Sequence, residues 1–160
     1  DRVGVHLSAV LFDQLRNLQQ EGESDSDFLD RAITAREYLC PSRWLAEKMQ
    51  EKGGSAWVYY FTRQRDGDVA LKEGVYHGAE LPYVFGTHDS WLPTSDLDLQ
   101  VTETIMSYWA NFIKNGNPNG LDLTVWSAFD LELPSTQVLD VDARTMEHVS
   151  KPMCAIFSES

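Results

Sequence analysis

The best-defined pattern in this sequence is an apolar period of 3.6 residues that runs over residues 96–114. Apolar side chains recur at intervals of three and four and so share one face of a helix; they are Val101, Ile105, Tyr108, Trp109, Phe112 and Ile113. The following segment, Asn-Gly-Asn-Pro-Asn-Gly over residues 115–120, is rich in turn-forming residues and ends the helix. The pattern therefore predicts one long amphipathic helix.

The rest of the chain predicts an alternation of helices and strands. Helices are expected over residues 5–20 and 27–52, a buried strand over residues 56–63, and an alternating strand over residues 137–141. Pro41 should kink or break the second helix, because its ring removes a backbone donor. Residues 71–86, which include His77, are expected to be irregular, with Pro82 limiting any helix there. This order favours an α/β protein that forms one structural unit without an internal linker.

Charge and hydropathy limit the possible partners. The hydrophobic share of 42% is enough for a core and argues against a disordered chain. The net charge of −12 has the wrong sign for phosphate neutralisation, so no nucleic acid is expected as a partner. The longest apolar run, residues 56–61, is far shorter than the ~20 residues of a membrane helix, and no membrane span is expected. The first residues lack the basic and apolar regions of a signal peptide.

No metal ion or phosphate-bearing cofactor is expected either. The histidines and cysteines show no spacing typical of metal ligands; they are His6, His77, His88, His148, Cys40 and Cys154. Asp-x-Asp pairs occur, but none continues into a calcium loop with its glycine and distal Glu. Neither GxGxxG nor GxxxxGKS/T is present.

A serine nucleophile would sit in a GxSxG turn between a strand and a helix. The nearest match, Gly-Glu-Ser-Asp-Ser over residues 22–26, ends in serine and lies in a charged run between two predicted helices. It is better explained as a loop in which Ser24 caps a helix. Residues 53–57 fail the pattern as well.

Among the histidines, His77 stands in a distinctive segment. Residues 74–86 are Gly-Val-Tyr-His-Gly-Ala-Glu-Leu-Pro-Tyr-Val-Phe-Gly. A lone histidine is most often structural or simply exposed. This segment, however, closely resembles the one around the catalytic histidine of type-B carboxylesterases and cholinesterases, which are serine hydrolases with the α/β-hydrolase fold.

Further segments carry the same resemblance in a consistent order, from about Leu29 onwards. They are the strand at residues 57–61, the helix and Gly-Asn-Pro-Asn turn at residues 106–119, the Trp-Ser-Ala-Phe of residues 126–129 (with Ser127 in place of the usual Pro), the last sheet strand at residues 138–141 and the closing helix at residues 153–157.

The resemblance implies the C-terminal part of an α/β-hydrolase fold, a mostly parallel sheet flanked by helices. Residues 1–160 are then one fragment of a single domain, incomplete without an N-terminal chain, and residues 1–28 are assigned only weakly to helical and loop structure. In such enzymes the triad runs Ser, acid, His along the chain. His77 matches the histidine, so the N-terminal chain is expected to supply the serine and the Glu or Asp. The implied function is hydrolysis of a small-molecule carboxylic ester through an acyl-enzyme, without a cofactor.

The three residues directly after His77 are expected to contact the substrate or to support the site. Gly78 and Ala79 are candidates for contacts with the substrate. Glycine at position 78 would leave room beside the His77 ring, although turn geometry explains it equally well. Glu80 lies only three positions from His77 and rarely could reach it with triad geometry, so it is expected to be a supporting carboxylate.

The two cysteines match the two positions that cholinesterases join, and the resemblance implies a Cys40–Cys154 disulfide. From the residues alone, two buried free thiols are an equal alternative. A disulfide favours an oxidising compartment, and hence a secreted or periplasmic protein.

A second hypothesis comes from a different functional class. Some relatives in this superfamily keep the fold without catalysis, so the chain could belong to a non-catalytic adhesion or binding domain. A complete GxSxG in the N-terminal chain would favour the enzyme, whereas Gly or Ala in place of its serine would favour the binding domain. An independent small acidic domain is the least favoured hypothesis.

Overall fold

The computed structural model describes residues 9–147, 149 and 151–158. The start of the helix predicted over residues 5–20 lies outside the described residues, as do His6 and His148. In chain order the elements are α1 (Ala9–Arg16), α2 (Asp25–Thr34), α3 (Cys40–Glu51), β1 (Tyr59–Phe61), α4 (Asp68–Glu73), α5 (Leu81–Phe85), α6 (Asp96–Asn115), β2 (Ser135–Leu139), β3 (Arg144–Glu147) and α7 (Lys151–Ser158).

Helix α6 confirms the strongest sequence pattern. A capping box closes its first turn: the Asp98 backbone N–H donates to Ser95 Oγ (3.3 Å), and the Ser95 N–H donates to Asp98 Oδ2 (2.8 Å). Gly116 ends the helix in the left-handed conformation. The predicted apolar face is buried at Val101, Ile105 and Tyr108, whereas Phe112 and Ile113 are 46% and 79% exposed. The C-terminal end of this face is therefore left uncovered.

The sheet has the strand order β1-β2-β3. β1 and β2 are parallel, with Tyr59 opposite Gln137, and β3 joins β2 antiparallel. All five residues of β2 are buried, because this strand has a neighbour on each side. β1 lies at an edge, and no other strand of the described chain pairs with its outer side.

Both predicted strands differ in extent from the observed ones. The strand expected over residues 56–63 is reduced to Tyr59–Phe61, because only these residues pair with β2. The strand expected over residues 137–141 begins two residues earlier. β3 was not predicted, since all four of its residues are exposed and give no apolar alternation.

The helix predicted over residues 27–52 is divided into α2 and α3 by a π-helical turn, Ala35–Leu39. The backbone keeps helical dihedral angles at Thr34 and Cys40 on either side of this turn. Pro41 lies in the first turn of α3, where its missing N–H is tolerated. The helix expected to kink or break at Pro41 therefore changes its hydrogen-bonding pattern just before the proline. The backbone stays helical through this turn.

The expectation of irregular chain over residues 71–86 is wrong at both ends. Helix α4 reaches Glu73, and α5 begins at Leu81 with Pro82 in its first turn. Proline has a φ angle suited to a helix and lacks only an N–H that the first turn does not use, so Pro82 starts this helix. The turn between the two helices, residues 74–80, carries His77.

The two larger of three apolar clusters among the described residues hold most of these elements together. One joins α1, α2 and the π-helical turn to α7, and it contains the disulfide between Cys40 and Cys154, whose Cα atoms lie 5.3 Å apart. The disulfide implied by the resemblance is thus confirmed. The other cluster packs β1, β2 and α5 against α6. Among the described helices, none combines the length and apolar character that a membrane crossing requires.

Candidate active site

An open, largely apolar groove of about 700 Å³ runs beside β1. It is lined by the π-helical turn and α3, by residues 55–62 around β1, by the turn that carries His77, and by Phe112 of α6. Leu45 and Met49 of α3 are 63% and 42% exposed there. The described part of the chain therefore leaves an apolar surface open next to the edge strand.

His77 is presented at this groove by a tight turn. Gly74 ends α4 at a φ of 66°, and Gly78 directly after His77 has a φ of 90°, conformations that strongly favour glycine. The Ala79 N–H donates to the Tyr76 carbonyl oxygen (3.0 Å) and closes the turn. As a result, the exposed imidazole of His77 lies among the residues that line the groove.

An aromatic side chain packs against the His77 ring. The imidazole stacks on Tyr38, with ring centroids 3.9 Å apart and planes inclined by 19°. Within residues 9–147, 149 and 151–158, neither of its nitrogens forms a hydrogen bond. An imidazole in this state can take a proton from one group on Nε2 while Nδ1–H donates to another, as general base catalysis requires.

The two candidate substrate-binding residues lie in different surroundings. Gly78 lines the groove, whereas Ala79 packs against the core cluster of β1, α5 and α6. A Cβ atom at Gly78 would meet only Leu81 Cδ1, at an ordinary 3.6 Å. The φ angle of 90° that the turn requires is by itself sufficient reason for glycine at this position.

Glu80 also lines the groove, and it contacts β1. Its Oε1 accepts a hydrogen bond of 3.4 Å from the Tyr59 hydroxyl. Burial, together with the negative charge of Glu80, raises the pKa of Tyr59 to about 12, so the phenol stays protonated and donates. Between Glu80 and His77 themselves, the described contacts include no hydrogen bond.

A buried polar network, which the sequence interpretation missed, anchors the helix that follows His77. The Asp98 carboxylate is fully buried and accepts hydrogen bonds from Arg63 Nε (2.8 Å), the Tyr83 hydroxyl (2.7 Å) and Ser95. Burial alone would raise the pKa of Asp98, but these hydrogen bonds together lower it well below its usual range. Because Tyr83 belongs to α5, the network ties α5 to the start of α6.

The network continues to His88. Arg65 donates to the Tyr83 hydroxyl (3.2 Å) and to His88 Nδ1 (2.8 Å). Since a guanidinium only donates, Nδ1 accepts, and the proton of the neutral ring is on Nε2, which lies 2.7 Å from Thr102 Oγ1. The Ser-x-x-Asp spacing at Ser95 was the one local signal of this network, because it is typical of a capping box. The longer-range partners have no signature in the sequence.

The serine rejected as a nucleophile has the predicted structural role. Ser24 precedes α2, and its Oγ accepts a hydrogen bond from the Asp27 backbone N–H (3.1 Å). For metal binding, the described residues contain no cluster of three or more His, Cys, Asp and Glu side chains that could hold an ion.

Comparison with known proteins finds similarity along almost the whole chain. The sequence model of the carboxylesterase family matches residues 5–157. A cholinesterase from Mus musculus is 32% identical over 130 residues, which are 76% of this chain and 21% of that protein. A cocaine esterase from Homo sapiens is 43% identical over 58 residues, which are 35% of this chain and 10% of that protein.

Solved esterase structures share the fold. A carboxylesterase from Geobacillus stearothermophilus superposes with a TM-score of 0.78 at 17% identity, over 98% of this chain and 33% of that chain. A PNB esterase gives a TM-score of 0.75 at 23% identity, over 94% of this chain and 31% of that chain. The described structure is thus part of an α/β-hydrolase fold. The chain spans about a third of these structures, and only 10% and 21% of the two relatives named above.

Proposed function

The chain belongs to the carboxylesterase family, and on that premise we propose that it supplies the catalytic histidine, His77, of a serine carboxylesterase. The proposed reaction is the hydrolysis of a small-molecule carboxylic ester, without a cofactor. The observation that carries the proposal is the exposed His77 imidazole at the groove, which has no hydrogen bond within the described residues. The glycine-bounded turn that presents it supports the same role.

In this mechanism His77 moves one proton in each half of the reaction. Its Nε2 takes the hydroxyl proton of a serine as the serine oxygen attacks the ester carbonyl carbon. The imidazolium then gives that proton to the departing alkoxide, which leaves as the alcohol. In the second half, His77 takes a proton from water as the water attacks the acyl-enzyme, and it returns a proton to the serine.

The serine and the acid are proposed to come from an N-terminal chain of the same protein, and residues 1–160 to be the C-terminal part of a single α/β-hydrolase domain. The unpaired outer side of β1 supports this arrangement, because the free backbone groups of an edge strand pair readily with another strand. The apolar groove beside β1 and the exposed Phe112 give the same indication. The chain covers about a third of the solved esterase structure, which also supports an N-terminal chain that completes the domain.

The residues next to His77 and the disulfide complete the proposal. Gly78 and Ala79 are proposed substrate-binding residues, and Glu80 is proposed to support the site through Tyr59. The buried Cys40–Cys154 disulfide supports folding in an oxidising compartment, so we propose a secreted or periplasmic protein.

The test is replacement of His77 by Ala in the complete protein, assayed with a simple aryl ester. Turnover is expected to fall by at least about a thousandfold, because general base catalysis and leaving-group protonation are both lost. The matched control is His88→Gln, which alters a histidine of the buried network; it should lower thermal stability but leave the turnover of the folded protein near wild type. Retained activity in His77→Ala would remove His77 from the mechanism. Gly or Ala in place of the expected serine would favour the non-catalytic binding domain.

A further inference from the structure

The contact between Tyr38 and His77 has a geometry suited to catalysis. The two rings are nearly parallel, their centroids are 3.9 Å apart, and both line the groove. We propose that Tyr38 is a positioning residue, which holds the plane of the His77 imidazole during proton transfer and stabilises the imidazolium through the face of its own ring. This inference rests on the proposed function of His77 as general base.

The backbone that carries Tyr38 is well fixed. Tyr38 lies in the π-helical turn, in which the Cys40 N–H donates to the Ala35 carbonyl oxygen, five residues back. Its neighbours Ala35, Leu39 and Cys40 are buried, and Cys40 is bridged to Cys154. A π-helical turn inserts an extra residue and so changes the direction of the side chains that follow, which is one reason why such turns recur at functional sites. Here the turn directs a 44% exposed tyrosine towards the histidine.

The imidazole itself has little else to orient it. His77 lies between two glycines of its turn, Gly74 and Gly78, and its nitrogens form no hydrogen bond to any other described residue. Within the described part of the chain, the stack on Tyr38 is thus the contact that restricts rotation of the ring. Because the stack covers a face, it leaves the ring edge available, and Nδ1 and Nε2 are both on that edge. Orientation without blocking either nitrogen is what a proton relay needs.

The face of an aromatic ring also carries partial negative charge and attracts cations. As the general base, His77 gains positive charge when it takes the serine proton, so this attraction is stronger in the transition state than in the ground state. Tyr38 should therefore affect kcat more than KM. Its hydroxyl forms no hydrogen bond with the rest of the described chain, so the ring alone is expected to act, and phenylalanine should replace it.

The test compares Tyr38→Leu, Tyr38→Phe and His77→Ala in the complete protein with a simple aryl ester. Tyr38→Leu is expected to lower kcat about tenfold with little change in KM, since orientation and charge stabilisation act on the chemical step. Tyr38→Phe should keep wild-type kcat. Phe12→Leu is the matched control, because Phe12 is 53% exposed on α1 and does not line the groove. Tyr38→Gln provides a second non-aromatic variant if Tyr38→Leu does not fold.

A spectroscopic measurement tests the stack independently of activity. In protein labelled with ¹³C in the histidine rings, the His77 C–H signals, assigned by their loss in His77→Ala, should be shifted upfield by the Tyr38 ring current. Tyr38→Leu should remove this shift, and Tyr38→Phe should preserve it. An unchanged kcat or an unchanged signal in Tyr38→Leu would overturn the inference, as would an equal loss in Tyr38→Phe. If His77→Ala were active, the proposed function would itself fail.

Discussion

Replacing Asp98 by Asn should destabilise the protein strongly, because it removes one charge from a buried ion pair. The Asp98 carboxylate is fully buried, and the Arg63 side chain, 2.8 Å away, is only 9% exposed. Arg63 and Tyr83 donate to Oδ1, while the N–H and the hydroxyl of Ser95 both donate to Oδ2. An asparagine amide would keep one acceptor but place N–H groups against the two Ser95 donors. Removal of one partner of a buried ion pair costs roughly 3–5 kcal/mol. We therefore expect Asp98→Asn to lower the free energy of unfolding by about 4 kcal/mol.

The assay is urea denaturation of the complete protein, followed by tryptophan fluorescence. Asp96→Asn is the matched control, because Asp96 lies in the same first turn of α6 but is exposed. Loss of the Asp96 charge should lower the free energy of unfolding by only about 0.3–1 kcal/mol, which is the contribution of a charge near a helix N-terminus. Replacing Asp98 and Arg63 together by Leu and Met should recover part of the stability, since no unpaired charge then remains buried. Equal, small effects of Asp98→Asn and Asp96→Asn would refute the role given to the network.

Two further predictions concern stability. Replacing Cys40 and Cys154 by Ser should lower the free energy of unfolding by about 5 kcal/mol, because the chain-entropy model assigns that value to a loop of 114 residues. Denaturation of the variant and the wild type measures the difference, and an unchanged midpoint would contradict the prediction. Burial and the charge of Arg65 lower the pKa of His88 below its unfolded value, so its contribution to stability is present above pH ~6.5 and is lost as the pH falls below that value. His88→Gln should flatten this part of the stability profile, and an equally steep profile in the variant would show that another group is responsible.

The sequence predicted best those elements whose own residues show a clear apolar period and a clear end. Helix α6 was predicted to within one residue because a strong apolar period and a turn-rich stop coincide. The short helix α5 was missed because five residues show no period and because Pro82 was taken as a helix breaker, although proline is favoured in a first turn. β1 was predicted too long, since its length depends on pairing with a strand that lies more than seventy residues further along the chain.

The candidate site and the disulfide were predicted from a different kind of signal. His77 and the disulfide came from resemblance to a family, because neither lone histidines nor two distant cysteines specify a role. The network around Asp98 joins residues 15 and 35 positions away, and the stack of Tyr38 on His77 also depends on tertiary packing. The observed strand order identifies β1 as a strand with a free side among the described residues.

The most direct test of the account is covalent labelling of the complete protein with a fluorophosphonate, followed by peptide mapping. In the wild type, one serine outside residues 1–160 should be labelled rapidly. In His77→Ala the same serine should be labelled slowly, because the imidazole no longer takes its proton. Equal labelling rates in the two proteins, or a labelled serine within residues 1–160, would contradict the claim that His77 activates a nucleophile supplied by an N-terminal chain.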